Sequence, residues 1–230
     1  MFITVIIPCY NEKATIKEIV NKVNNYNDYK KEVIIVDDGS TDGTKEILEK
    51  EIKQTVYKII YHEQNLGKGA AISSALNHVN GEVVIIQDAD LEYDPKDYTN
   101  LLRPFLEKKA DIVLGSRFLG GVGPVRIHFF WHYVANKILT LICNIFINLN
   151  ISDMETGFKL FKTKAIKSIK LYEKSFGFEP EVVIKLAKKN FIFYEVPVSY
   201  YGRSYEEGKK IRLKDAFTAL YCIVKYSIFD

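Results

Sequence analysis

Five short apolar runs rich in β-branched residues alternate with segments of helical pattern along the first half of the chain. They occupy residues 3–7, 33–36, 56–61, 83–86 and 112–114. Strands that alternate with helices in this way indicate βαβ units, which build a mostly parallel sheet with helices on both faces. The sequence therefore predicts an α/β fold whose ligand site lies at the carboxyl ends of the strands.

Composition limits the size and class of this fold. The 230 residues are 47% hydrophobic, which is enough for a sizeable core and predicts one domain over residues 1–230. A net charge of +3 argues against the dense basic surface of a general nucleic-acid binder. Cys9, Cys143 and Cys222 are odd in number, widely separated and in apolar surroundings, which argues against a disulfide framework or a zinc site.

Residues 1–8 carry no basic leader and no cleavage region, so they are typical of a strand and not of a signal peptide. Together with the cysteine pattern, this predicts a protein of a reducing compartment that faces the cytoplasm.

Polar clusters follow the first, second and fourth predicted strands, at residues 8–12, 37–40 and 87–92. Because the carboxyl ends of neighbouring strands share one sheet edge, we expect these clusters to converge. Each cluster could also cap the next helix. Capping does not explain the adjacent pair Asp37 and Asp38, since burying a carboxylate is costly unless a ligand or donor satisfies it. The pattern favours ligand contact for Asp38.

Residues 88–92 read Asp-Ala-Asp-Leu-Glu, an Asp-x-Asp-x-Glu pattern at the mouth of a buried strand. Carboxylate oxygens suit Mg²⁺ or Mn²⁺, and such ions are usually completed by the phosphates of a bound nucleotide. The alternative interpretation is a solvated acidic turn that caps the helix beginning near Pro95.

Lys68 lies between Gly67 and Gly69, just before another predicted helix. Two glycines let the backbone approach an anion at a helix N-terminus, although neither the P-loop nor the dinucleotide-binding spacing is present. The alternative is a flexible turn with a solvated lysine.

Residues 126–150 are apolar but interrupted by His128, His132, Asn136, Lys137 and Asn144. The stretch is too polar for a confident membrane span and predicts an amphipathic helix, either interfacial, with Trp131 and Tyr133 at headgroup level, or packed against the sheet or a partner subunit. Residues 213–229 show a second pattern of this kind, and no segment reaches about eighteen uninterrupted apolar residues.

Two polar stretches of the second half offer further candidates. Asp153 and Glu155 could orient a basic group or serve as a general base, although a turn role also explains Glu155. Arg203 and Lys209 bracket a glycine-containing loop that could close over phosphates, or simply form a surface charge run.

Residues 5–12, 36–44, 65–69 and 88–90 together closely resemble family 2 glycosyltransferases of the GT-A fold. The later stretches 115–118, 130–132, 153–159, 178–181 and 201–210 are similar to the branch that contains dolichyl-phosphate mannose and glucose synthases. This resemblance implies inverting transfer of a hexose from UDP-glucose or GDP-mannose to a polyprenyl phosphate. It also implies a nucleotide-sugar-binding half at 1–118 and an acceptor-binding half with interfacial helices at 119–230, attached peripherally to the cytoplasmic membrane face.

The resemblance also implies roles for single residues, carried over motif by motif. The donor site would contain Pro8, Tyr10, Glu12, Asp38, Lys68, Asp88 and Ala89. A Mg²⁺ or Mn²⁺ ion would be held by Asp88, Asp90 and Glu92, the last of which is Gln in many relatives. Phosphates would be met by Arg117, Arg203 and Lys209, and the acceptor phosphate also by His128 and His132.

The acceptor decides which further residues the chemistry needs. A polyprenyl phosphate is already an anionic nucleophile, so it needs positioning and electrostatic help more than a base. A saccharide acceptor, as in cell-surface polysaccharide synthesis, would need a base, for which Asp153 is the first candidate. A third hypothesis is a non-catalytic protein that binds a nucleotide sugar. The sequence leaves the identity of the nucleotide and the oligomeric state open.

Overall fold

The computed structural model describes residues 1–107, 109–120, 126, 129–204, 206 and 213–229. Its strands are β1 (Phe2–Cys9), β2 (Lys30–Asp37), β3 (Lys58–Tyr61), β4 (Val83–Ile86), β5 (Ile112–Ser116), β6 (Lys159–Lys162) and β7 (Phe193–Pro197). Its α-helices are α1 (Ile16–Asn25), α2 (Thr44–Ile47), α3 (Lys68–Leu76), α4 (Tyr98–Leu106), α5 (Phe130–Ile147), α6 (Thr163–Ile166), α7 (Phe178–Lys188) and α8 (Leu213–Ile228).

All seven strands form one sheet in the order β3-β2-β1-β4-β6-β5-β7. β1 runs parallel to β2 and β4, β2 runs parallel to β3, and β5 runs parallel to β7. Only β6 is antiparallel to both of its neighbours, β4 and β5. The prediction of a mostly parallel α/β sheet is therefore confirmed, and the five predicted strands are all present, whereas β6 and β7 were not predicted.

Side chains that alternate along the central strands fill two cores, one on each face of the sheet. On one face, Ile6 and Ile86 pack with residues of α3, α7 and α8, such as Ile72. On the other face, Val5 and Ile85 pack with residues of α1 and α4. Because both faces are covered, the polar ends of the strands are left as the place for a site.

The helices α5 and α8 are amphipathic, as predicted, and expose much of their apolar side. In α5, Asn136, Leu139, Thr140 and Cys143 are buried, and this side packs on α7 and α8. The exposed large side chains include Phe130, Trp131, Ile138, Leu141 and Ile145 of α5 and Phe217, Tyr221 and Ile228 of α8. Within the described ranges, α5 alone is long and apolar enough to cross a membrane, with a mean hydropathy of 1.3 over 18 residues, by length and composition only.

Candidate functional site

A cleft of about 670 Å³ opens at the carboxyl ends of β1, β2 and β4. The three polar clusters that follow these strands do converge on it. Of the residues predicted from sequence, the cleft is lined by Pro8, Tyr10, Glu12, Asp38, Lys68, Asp88, Ala89, Asp90, Glu92, Arg117 and Arg203. The cleft therefore lies at the strand ends where the polar clusters were expected to converge.

Lys68, the first residue of α3, lies in the floor of the cleft between two acidic side chains. Its Nζ is 2.8 Å from Oδ1 of Asp88 and 3.1 Å from Oε1 of Glu179. Burial alone would lower the pKa of Lys68, but the two carboxylates outweigh it and raise that pKa. The lysine is therefore a fixed positive charge in the cleft, and the alternative of a solvated lysine on a flexible turn is wrong.

Close packing explains the glycines of this part of the cleft. A Cβ on Gly69 would lie 2.1 Å from the carbonyl oxygen of Glu173, so α3 begins directly against that segment. A Cβ on Gly157 would lie 2.1 Å from Oδ2 of Asp88. Glycine at 157 thus leaves room for the Asp88 carboxylate at the cleft surface.

Arg203 lies across the carboxylates on the other side of the cleft. Its Nη2 donates to Oδ2 of Asp90 at 2.9 Å, and its Nη1 donates to Oε2 of Glu12 at 3.3 Å. Glu92 contacts the same segment, because it accepts hydrogen bonds from the Arg203 backbone nitrogen and the Tyr200 hydroxyl. We call Glu12, Asp88, Asp90 and Glu92 the carboxylate cluster.

The carboxylate cluster is not an ordinary helix cap. Asp94 takes the capping role, since its carboxylate accepts a hydrogen bond from Lys96 N at the start of the short 3₁₀ turn Pro95–Asp97. Burial, followed by the charges of Glu92 and Asp88, raises the pKa of Asp90. The helix-capping interpretation therefore fails for Asp88 and Asp90, which line the cleft, although Asp90 Oδ1 also accepts a hydrogen bond from Glu92 N within the turn.

The donor set of the cluster fits a hard divalent cation, which would relieve the repulsion that raises the Asp90 pKa. Across the described ranges, however, no group of three or more His, Cys, Asp or Glu side chains is already arranged around a common metal position. Lys68 and Arg203 supply the positive charge at Asp88 and Asp90 in this structure.

Arg117 follows β5 and is held by Asp153 through a bidentate ion pair. Its Nε and Nη2 each lie 2.7 Å from an oxygen of Asp153, and its backbone nitrogen also donates to that carboxylate. Burial would raise the pKa of Asp153, but the charge and hydrogen bonds of Arg117 outweigh it and lower that pKa. Asp153 has no solvent exposure and is not among the residues that line the cleft. Its geometry is that of a residue that orients Arg117, and not that of a general base.

Asp38 directly follows β2 and is satisfied by donors from its own surroundings. The backbone nitrogens of Leu66 and Gly67 donate to it at 2.9 and 2.7 Å. His62 Nδ1 lies 2.7 Å from Asp38 Oδ1, and His62 Nε2 lies 2.9 Å from the Ser74 hydroxyl. These contacts fix the carboxylate at the cleft surface with little exposure.

A second buried group of charges lies beneath Lys68. Burial, followed by the charge of Glu179, raises the pKa of Glu155, whereas burial lowers the pKa of Lys159. One oxygen of Glu155 and one of Glu179 are buried without a hydrogen-bond partner within the described part of the chain. Both residues line the cleft, so polar groups of a bound ligand could satisfy them.

The structure leaves two predicted residues undescribed and places a third outside the lining of the cleft. Lys209 and His128 lie outside the described residues. His132 is half-buried in the first turn of α5 and does not line the cleft.

Other cleft residues were missed by the sequence reasoning. Tyr93, Glu179 and Tyr200 line the cleft without having been assigned a role. His62, which contacts Asp38 but does not itself line the cleft, directly follows β3, so its position at a strand end could have singled it out. Tyr93 and Tyr200 gave no local signal, because long-range packing places them.

Comparison with known proteins decides the family. The sequence model of glycosyl transferase family 2 matches residues 4–170. The chain belongs to this family. Among curated relatives, glycosyltransferase AglJ of Haloferax volcanii is 29% identical over 208 residues, covering 87% of the chain and 63% of the relative. The dolichol-phosphate mannosyltransferase of Pyrococcus furiosus is 26% identical over 212 residues, covering 91% of the chain and 59% of the relative. The chain thus spans less than two thirds of either relative.

Solved structures support the same fold. Glucosyl-3-phosphoglycerate synthase from Mycobacterium tuberculosis, in complex with Mn²⁺, UDP and phosphoglyceric acid, superposes with a TM-score of 0.76 at 18% identity. The match covers 99% of this family 2 chain and 79% of the synthase. At this identity the comparison establishes the GT-A fold, and the predicted fold class is confirmed.

Proposed function

We propose that the protein transfers a hexose, with inversion, from a nucleoside diphosphate sugar to a polyprenyl phosphate. The observation that carries the proposal is the pairing of Arg117 with a fully buried Asp153. A hydroxyl acceptor needs a base at the reacting centre, and the base expected from sequence is occupied by Arg117. A phosphate acceptor needs no base and is attracted to a fixed guanidinium. The cleft therefore favours a phosphate acceptor over a saccharide.

On this proposal, the chain's own residues bind and orient the two substrates. Pro8, Tyr10, Glu12 and Asp38 hold the nucleoside, and Arg117 and Arg203 meet the phosphates. Asp88 and Asp90 would hold Mg²⁺ or Mn²⁺, with Glu92 as the third residue of the motif. When bound, such an ion stabilises the negative charge of the departing nucleoside diphosphate.

Lys68 and Arg117 have distinct tasks in this scheme. Lys68 keeps Asp88 in place through its ion pair while Glu179 fixes the lysine from below. Nη1 of Arg117 is the guanidinium nitrogen that Asp153 does not contact, so it is available to an anionic oxygen in the cleft. Charges held in advance of the reaction lower its barrier because they need not reorganise.

The exposed apolar side chains of α5 and α8 support an acceptor delivered from a bilayer. Trp131 is 75% exposed and Ile145 is 70% exposed, which is typical of a helix that lies in a membrane interface or packs on another apolar surface. We propose peripheral attachment to the cytoplasmic membrane face. On this proposal the cleft receives a soluble nucleotide sugar as donor and a lipid-linked phosphate as acceptor.

The test is a transfer assay with labelled UDP-glucose or GDP-mannose, Mn²⁺, and either a short-chain polyprenyl phosphate or free saccharides. We expect label in the lipid phosphate with inverted anomeric configuration. Asp90→Ala should stay folded and lose turnover. Asp94→Ala is the matched control, because it removes a carboxylate of the same segment that lies outside the cleft. This variant should keep its turnover.

Two results would contradict the proposal. Transfer to saccharides without transfer to the lipid phosphate would show that the acceptor is a saccharide. A folded Asp90→Ala variant with the wild-type rate would remove the metal assignment.

A further inference from the structure

Glu92 has both carboxylate oxygens committed to one segment of the chain. Oε2 accepts a hydrogen bond from the Tyr200 hydroxyl at 2.6 Å, and Oε1 accepts one from the Arg203 backbone nitrogen at 2.8 Å. The carbonyl oxygen of Glu92 also accepts from Tyr201 N at 2.9 Å. Glu92 thus anchors residues 200–203 at three points.

This anchoring determines where the Arg203 side chain lies. With its backbone held at Glu92, the guanidinium reaches Asp90 Oδ2 at 2.9 Å and Glu12 at 3.3 Å. Its Nε lies 3.6 Å from Glu92 but is buried without a hydrogen-bond partner among the described residues. Arg203 therefore lies over the cluster with its hydrogen-bonding capacity incompletely used.

We propose that Glu92 is a positioning residue that anchors residues 200–203, and that Arg203 is an internal counter-ion that leaves Asp90 when a divalent cation binds. The inference rests on the proposed function, from which it takes the cation at Asp88 and Asp90. It changes the role of Glu92 from metal ligand to loop anchor.

The competition follows from charge and geometry. A guanidinium hydrogen-bonded to Asp90 Oδ2 takes one of the two lone pairs of that oxygen, and its positive charge repels a second cation at the same carboxylate. A cation that enters must displace the guanidinium, so its apparent affinity is lowered by whatever this contact contributes. A hydrogen bond between charged groups contributes roughly 1.5–3 kcal/mol, which corresponds to a factor of about ten or more.

The first experiment measures Mn²⁺ binding by electron paramagnetic resonance, without nucleotide and without turnover. Arg203→Ala should bind Mn²⁺ about tenfold more tightly than wild type, because its competitor is gone. Lys96→Ala removes a positive charge from the same neighbourhood without contact to Asp90, and should change the affinity by less than about twofold. Tighter binding after loss of a cleft residue is a result that structural damage would not give.

The second arm separates an anchor from a ligand at Glu92. Glu92→Leu, which has no oxygen to offer a metal ion, should bind Mn²⁺ at least as tightly as wild type, whereas Asp90→Asn should lose about tenfold or more. Tyr200→Phe removes the hydroxyl from Glu92 and leaves every carboxylate intact. Both Glu92→Leu and Tyr200→Phe should raise KM for the donor with a smaller change in kcat, and the double variant should be no worse than Glu92→Leu alone. Tyr201→Phe serves as the control from the same segment.

The outcomes separate this inference from the proposed function. Equal Mn²⁺ affinities of wild type and Arg203→Ala, or loss of binding in Glu92→Leu, would overturn the inference while the metal-dependent transferase stands. A protein that binds no Mn²⁺ either as wild type or as Arg203→Ala, with or without UDP or GDP, would overturn both.

Discussion

The buried ion pair between Arg117 and Asp153 can be tested by Asp153→Asn, which removes one charge with little change in shape. Asp153 is fully buried, and its carboxylate accepts hydrogen bonds from Arg117 and from Asn136 Nδ2. Removing one partner of a buried ion pair costs about 3–5 kcal/mol. The Arg117 side chain keeps 13% exposure toward the cleft, so we expect a loss near the lower end, about 3 kcal/mol.

Urea and thermal unfolding, followed by circular dichroism, measure this loss. For a chain of this length, each kcal/mol lowers Tm by about 2–4 °C, so about 3 kcal/mol corresponds to roughly 6–12 °C. The double variant Arg117→Met/Asp153→Leu removes both charges and should recover most of the loss, because no charge is then left buried alone. The stability of this double variant can be measured whether or not the variant is active.

The pH dependence has a defined sign. The folded-state pKa of Asp153 lies below its unfolded value, so its contribution is complete above about pH 4 and is lost as the pH falls through the folded pKa. The stability difference between wild type and Asp153→Asn should be equal at pH 6 and pH 8, and should shrink in acid. A variant within about 0.5 kcal/mol of wild type, or a difference that grows in acid, would refute the argument.

Three further predictions concern other parts of the cleft and the exposed helices. Gly157→Ala places a Cβ 2.1 Å from Asp88 Oδ2, so it should weaken Mn²⁺ binding while Tm stays within a few degrees. Titration followed by electron paramagnetic resonance measures the binding, and an unchanged affinity would contradict the close approach. His62→Phe leaves Asp38 and Ser74 without their shared partner, so it should lower the free energy of unfolding by about 1–3 kcal/mol. Urea unfolding measures this loss, and a value near zero would contradict the prediction. Trp131→Ser should reduce sedimentation with phospholipid vesicles several-fold at constant transfer to a detergent-dispersed acceptor, whereas equal sedimentation would argue against an interfacial α5.

The sequence predicted those parts of the fold that have a local cause. Runs such as Val83–Ile86 combine β-branched residues with flanking turns, and they mark strands wherever they occur. Because parallel strands end at one edge, the positions of Asp38, Asp88 and Asp90 in one cleft also followed. In contrast, β6 has the sequence Lys-Leu-Phe-Lys, which has no alternation strong enough to predict a strand.

The partners of charged residues could not be read from sequence. Asp153 was expected to be a candidate base, but the fold buries it completely against Arg117, and burial depends on packing between distant segments. For Lys68 the sequence allowed either an anion contact or a solvated position on a turn. Its two carboxylate partners come from other elements of the fold. Residue type thus indicated which groups are charged, whereas the tertiary structure determined what each charge contacts.

The antiparallel strand β6 has a consequence for the order in which the protein folds during synthesis. β4 and β5 are not neighbours; β6 lies between them, and β5 pairs only with β6 and β7 in the described part of the sheet. A nascent chain that has emerged only as far as β5 can pair β1 to β4, but β5 has no strand to join until the ribosome has also made α5 and β6. Closing such long-range pairings is slow, so the apolar residues of β4 and β5 stay available to chaperones, or to other nascent chains, for that interval.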